Sequence, residues 1–181
     1  MGLLLAVLCA ASALAESNLV SHNFTVGATA LLPASGWKTS EYDPGPAVSA
    51  SYGLRLHRYV QVEAGYTGGF PRHLQCGRDA CLTERKRVSL LDYGLRGILP
   101  LHRDRVQLSA GVGGGYIWND LGSSNSYLNE TLFQYSGRAS FAVGPARRYR
   151  LGTTLRLWRD LGRPTEQWFV VSGDFTWSLG R

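Results

Sequence analysis

The residues that could act as nucleophile, base or metal ligand are few, and their spacing does not assemble them. Covalent catalysis needs a hydroxyl or thiol within hydrogen-bond reach of a base. Of the four histidines, His57 and His102 fall in short polar breaks between apolar segments, His22 precedes the first such segment, and His73 has no serine close to it in sequence. Cys76 and Cys81, separated by Gly77-Arg78-Asp79-Ala80, are spaced to close a small loop as a disulfide in an oxidising compartment. A metal pair would need two further ligands, and only His73 is near. The same stretch is dense in charge: Arg72, His73, Arg78, Asp79, Glu84, Arg85, Lys86 and Arg87 surround the cysteines. A solvated loop is the plain reading. The sharper one gives Arg72, Arg78 and Arg85 an anionic lipid or partner surface to hold, since guanidinium groups bind phosphate oxygens in pairs. No catalytic, cofactor-binding or metal-binding residue is assigned, and no cofactor is expected.

A second set of charges, Arg55, Glu63, Asp92, Arg96, Arg138, Arg156 and Asp174, lies inside otherwise apolar segments, and the elements that must carry it are strands. In Val48-Ser49-Ala50-Ser51-Tyr52-Gly53-Leu54-Arg55-Leu56 the even positions are apolar and the odd ones small or polar. Such alternation puts one set on each face of a strand. The period recurs in Val60–Tyr66, Leu91–Arg96, Val106–Val112, Tyr135–Phe141 and Phe169–Trp177, and less cleanly in Phe24–Leu32 and Tyr149–Trp158. This predicts about eight strands of roughly ten residues, the length a tilted strand needs to cross a bilayer. Long spacers at about 33–44, 70–86 and 119–131 and a medium one at 160–167 alternate with short ones at 57–58, 102–104 and 145–148. The expected architecture is therefore all-β: an eight-stranded antiparallel up-and-down transmembrane β-barrel with its long loops at one end and both termini at the other.

One face is apolar and carries Tyr52, Tyr59, Tyr66, Tyr116, Trp118, Tyr135, Tyr149 and Trp177 near strand ends, where rings favour the lipid headgroup level. The other face holds Ser, Thr, Gln, Gly and the seven charges. Isolated buried ions cost several kcal/mol each, so this face should form a salt-bridge network. Heights counted from the short turns predict the pairs Glu63–Arg96 and Arg156–Asp174. Eight strands enclose a space that side chains just fill, which favours packing over a narrow porin-like channel. A soluble lipocalin-like barrel would invert the pattern, with apolar residues inside.

Upstream, Leu3–Ala11 is an apolar run followed by Ala13-Leu14-Ala15, the form of a secretory signal peptide with its cleavage site. The expected organisation is a signal peptide at 1–15 and a single barrel domain at 16–181. The formal net charge of +6 would suit nucleic acid, but the basic residues are scattered and form no stripe with interleaved aromatics, so contact with anionic lipid headgroups is the expectation instead. Asn129-Glu130-Thr131 matches a glycosylation acceptor by chance.

On this pattern, residues 23–181 resemble the small bacterial outer-membrane β-barrels of the OmpA- and OmpX-like type. Barrels of that superfamily end on a strand with apolar residues at alternate positions and a terminal aromatic. Phe169, Val171, Phe175, Trp177 and Leu179 keep that register, while Arg181 stands where an aromatic would. The resemblance implies export to the outer membrane of a Gram-negative bacterium and lipid neighbours that include lipopolysaccharide. It further implies insertion by the barrel-assembly machinery, a monomer, and a non-enzymatic part in envelope integrity, adhesion or surface recognition. A lipid A-modifying enzyme is the rival within the superfamily. The His-x-Ser element of the deacylases is absent, Ser21-His22-Asn23-Phe24 having the wrong order.

Overall fold

The computed structural model describes residues 20–35, 42–76, 81–85, 87–119, 130–144, 146–160 and 167–179. The expected signal peptide lies outside them. Among the described residues eleven strands run in chain order: β1 Ser21–Ser35, β2 Tyr42–Asp43, β3 Gly45–His57, β4 Val60–Gly69, β5 Arg72–Cys76, β6 Cys81–Arg85, β7 Val88–Leu101, β8 Val106–Asn119, β9 Glu130–Val143, β10 Tyr149–Asp160 and β11 Gln167–Leu179. Eight of them close a barrel in the order β1-β11-β10-β9-β8-β7-β4-β3. Every neighbouring pair is antiparallel, and the first and last strands close the ring, from His22↔Leu179 to Leu32↔Phe169. Closure leaves no unpaired edge, which a strand surrounded by lipid could not tolerate.

Burial runs opposite to that of a soluble barrel. Phe24, Val48, Tyr93, Leu95, Val112, Tyr135, Phe141, Leu155 and Phe169 are exposed on the outside, while Thr25, Glu63, Thr67, Asp92, Arg96, Thr154, Arg156, Ser172 and Asp174 are buried inside. This is the period-two pattern of the sequence made into two surfaces: an apolar band for hydrocarbon and a polar lumen. The tyrosines at positions 52, 59, 66, 116, 135 and 149 and Trp177 all point outward.

The lumen is not polar throughout. At the end bearing the long connections, Leu31, Val88, Leu90, Ile117, Trp158, Trp168 and Val170 form a dry cluster inside the barrel. The alternation predicts only polar, small and charged residues on that face, and the plug corrects that expectation. The cause is visible in the sequence, where apolar residues run consecutively at Leu90-Leu91 and Trp168-Phe169-Val170-Val171 and both faces of the strand become apolar. Room for it comes from glycine. A Cβ on Gly115 would lie 2.7 Å from the Trp158 ring and 2.2 Å from the Leu91 carbonyl oxygen.

The long spacers also hold structure that the period-two pattern did not announce. β2, β5 and β6 make a separate three-stranded sheet in the order β2-β5-β6 at the end where the long connections leave the barrel. At the other end the turn between β7 and β8 puts His102, Arg103 and Asp104 in succession in the left-handed region, at φ 48°, 54° and 66°. Non-glycine residues hold that conformation only where surrounding contacts fix it. Here the Arg150 guanidinium donates to the Asp104 and Arg105 carbonyls at 3.0 and 3.4 Å, and Arg147 donates to that of Arg103.

Candidate functional site

The strands bring six of the seven predicted interior charges into one layer across the middle of the lumen. Glu63 on β4 is its hub. Arg96 Nε on β7 lies 2.9 Å from Glu63 Oε2, its Nη2 donates to Oε1 at 3.5 Å, and its Nη1 donates to Ser109 Oγ at 3.2 Å. Arg156, reaching in from β10, meets Glu63 Oε1 at 3.5 Å and Asp92 Oδ2 at 3.9 Å. Gln61 Nε2 donates to Glu63 Oε2 at 3.1 Å, and Gln61 Oε1 accepts from Asn23 Nδ2 at 2.8 Å. Beside this cluster, Arg138 Nε sits 3.4 Å from Asp174 Oδ2, and its terminal nitrogens donate to Thr25 and Thr176. Asp174 also accepts from Ser172 at 2.8 Å and from Thr154. Three carboxylates face three guanidinium groups, the balance that lets ions remain charged away from water.

The expected Glu63–Arg96 pair is thus an ion pair in the structure. Arg156 and Asp174 are not joined. Arg156 is opposite Val170 and Asp174 is opposite Gly152, so the two charges stand four residues apart along β11. Counting heights from the short turns on separate strands ignored the stagger that closing a barrel imposes between neighbours. Arg156 instead reaches across the lumen to β4 and β7, and Asp174 is taken by β9. Arg55 stands at the inner end of the lumen, lining the same cavity as Arg96 and Arg138. It lies opposite Gln61 near the short turns and donates to the Arg58 carbonyl at 2.5 Å.

Sequence reasoning missed Arg150, a buried cation whose Nε donates to Ser140 Oγ at 3.3 Å. Its signal was present: Arg150, Gly152, Thr154 and Arg156 share the inward parity of β10.

In the outer sheet, Cys76 and Cys81 face each other in register, as do Arg72 and Arg85, and His73 and Glu84. Asp43 is opposite Arg72 on its other side. The side chains of His73, Cys76 and Cys81 fall outside the description, as do residues Arg78, Asp79 and Lys86 entirely; Arg72, Glu84, Arg85 and Arg87 are exposed. Among the histidines, His22 Nδ1 lies 2.6 Å from the Tyr52 hydroxyl, outside the barrel, and His102 is in a turn. Among the described residues no group of three or more His, Cys, Asp or Glu side chains could hold a metal ion.

No protein-family model matches the sequence, and a comparison with curated proteins finds no match. Solved structures do match in fold. The chain is similar to the outer membrane protein OprG of Pseudomonas aeruginosa, with a TM-score of 0.68 at 6% identity over 90% of this chain and 97% of that one. It is similar to Ail, the attachment invasion locus protein of Yersinia pestis, at 0.59 and 10% over 88% and 98%. Neisserial surface protein A gives 0.56 and 15% over 89% and 97%. At such identities the likeness is one of fold: the closed eight-stranded barrel of small outer-membrane proteins, as the sequence pattern implied.

Proposed function

We propose that this chain is a non-enzymatic barrel of the Gram-negative outer membrane whose outer sheet recognises anionic surface groups, those of lipopolysaccharide in particular. The observation that carries the reading is the register of β5 and β6, which sets Arg72 and Arg85 directly opposite each other, both exposed. Like charges at directly opposite positions destabilise a sheet. An oxyanion lying across the pair removes that repulsion and gains charge-assisted hydrogen bonds. Asp43, next to Arg72 on β2, covers only one side of the pair. A Cys76–Cys81 disulfide would brace the hairpin that presents the pair, and Arg78, which lies outside the described residues, would add a third cation to the stretch between the cysteines.

The lumen supports a role outside the pore. The Glu63 layer and the Trp158 plug fill its cross-section at two levels, as expected where side chains fill a small barrel. Ail has been crystallised with the heparin analogue sucrose octasulfate, a polyanion, which agrees with an anion-binding outer surface on a barrel of this fold.

The test has two arms. Protein extracted from outer membranes should migrate differently before and after boiling, as folded barrels do, and recovery in the soluble fraction with unchanged mobility would defeat the membrane reading. Refolded protein in zwitterionic nanodiscs should bind lipopolysaccharide in a salt-sensitive way, and Arg72→Ala/Arg85→Ala should weaken binding at least tenfold. Equal binding by this variant would refute the assignment of the arginine pair.

A further inference from the structure

At the opposite end of the lumen, below the Glu63 layer, lies a cavity of about 310 Å³ that opens toward the short turns. Six arginines line it, Arg55, Arg96, Arg138, Arg147, Arg148 and Arg150, and among the described residues none that lines it is acidic. Its volume is at the lower limit for small-molecule sites, roughly 300 Å³, and so exceeds the needs of a single ion. We propose that this inner mouth is a binding site for a small phosphate-bearing anion, one carrying at least two negative charges.

The argument rests on what holds the guanidinium groups. Arg96 and Arg138 turn their Nε atoms to Glu63 and Asp174. Arg55, Arg147 and Arg150 are oriented by backbone carbonyls, those of Arg58, Arg103, and Asp104 with Arg105. Among the described residues, even with Glu63, Asp174 and the Asp104 side chain counted against them, the six arginines outnumber these three acids two to one. Between them stand neutral donors and acceptors, Asn23, Gln107, Ser109 and Ser140 among them, suited to an oxyanion's remaining lone pairs. Two of the cations, Arg96 and Arg150, are only 4% and 6% exposed. Their attraction for an anion is therefore screened far less by salt than that of surface arginines. Arginine geometry matches phosphate oxygens in a bidentate manner.

The chemistry could be met by a soluble phosphate compound or by the headgroup of an anionic phospholipid at the inner leaflet, and the experiment separates the two. Full-length protein in phosphatidylcholine nanodiscs would be titrated calorimetrically with inorganic pyrophosphate. Its unfolding temperature would then be compared in nanodiscs with and without phosphatidylglycerol. The variant is Arg55→Gln/Arg148→Gln, whose positions at the mouth are less buried than Arg96 and Arg150, and heat-modifiable migration confirms that it folds. Arg159→Gln, at the far end of the barrel, is the control.

Saturable pyrophosphate binding that the variant weakens at least tenfold, with the control unaffected, supports a soluble ligand. A phosphatidylglycerol-dependent rise in unfolding temperature that the variant loses, without pyrophosphate binding, supports the headgroup. Absence of both effects in the native sequence, or their survival in the folded variant, overturns the proposal. Because the outer arginines at 72 and 85 take no part, failure here leaves the outer-surface reading standing, and the reverse.

Discussion

Replacing Glu63 with Gln should be among the most damaging single changes in this barrel that alters almost no volume. Glu63 meets two cations, Arg96 at 2.9 Å and Arg156 at 3.5 Å, and is 7% exposed. A unit charge pair about 4 Å apart is worth about 4 kcal/mol at an effective dielectric constant of about 20. The carboxylate offsets much of that gain by its own desolvation. Once its charge is removed, however, the two arginines stay buried with only Asp92, 3.9 Å from Arg156, to balance them. Breaking a buried pair from one side costs about 3–5 kcal/mol, and Glu63→Gln should lose about that much in urea unfolding of the refolded protein, followed by tryptophan fluorescence. The companion Glu63→Gln/Arg96→Met removes the stranded charge along with the acid and leaves Arg156 with Asp92. It should recover at least half of the loss. If Glu63→Gln unfolds within about 1 kcal/mol of the native sequence, or if the two substitutions simply add, the layer is not the coupled network described.

Trp158→Ala should cost about 3–5 kcal/mol through the cavity it leaves in the plug, yet planar-bilayer conductance should stay at baseline because the Glu63 layer still crosses the lumen; a new steady conductance would show that the plug alone closes it. Gly113→Val should abolish the heat-modifiable form, since a Cβ there would lie 2.0 Å from the Tyr93 carbonyl oxygen and the strand opposite cannot retreat; a folded barrel would mean that β7 and β8 have slack. Under non-reducing conditions a fragment spanning residues 72–87 should show no free thiol, from the in-register Cys76 and Cys81, and alkylation of both cysteines in native protein would rule the bridge out.

Alternation made most of the fold legible. Each barrel strand carries apolar side chains to one face, and eight such runs joined by alternately long and short spacers admit few arrangements other than an up-and-down barrel. The short turns at 57–58, 102–104 and 145–148 and the outward aromatics follow from local sequence, because a strand's two faces are fixed by parity alone. What parity cannot give is height. Measured each from its own turn, Arg156 and Asp174 look level, whereas stagger between strands puts Arg156 opposite Val170. The plug was hidden for a related reason: in Trp168-Phe169-Val170-Val171 alternation vanishes, and only closure shows that Trp168 and Val170 face in. The hairpin β5–β6 was masked by charge, its Arg, His, Glu and Gln residues reading as solvated loop although they pair as strands.

The order of layers along the lumen decides what an anion entering from the short-turn end can do. It would first meet arginines, then at the next level the carboxylates of Glu63, Asp92 and Asp174, each already engaged with a guanidinium group. Going further would mean displacing those ion pairs and placing a negative charge beside three others in a poorly hydrated interior. Beyond that stands the Trp158 plug, which offers an ion no polar partner across most of its surface. Attraction at the mouth and rejection a few residues deeper describe a closed-ended binding site and not a pathway. The same stacking separates the two ends of the molecule: with a filled lumen between them, the outer sheet and the inner arginines can each be altered without a conduit that would transmit the change. Independent loss of anion binding at either end is therefore what this architecture requires, and a single substitution at one end that abolished both would demand a coupling for which the rigid, hydrogen-bonded barrel provides no second arrangement.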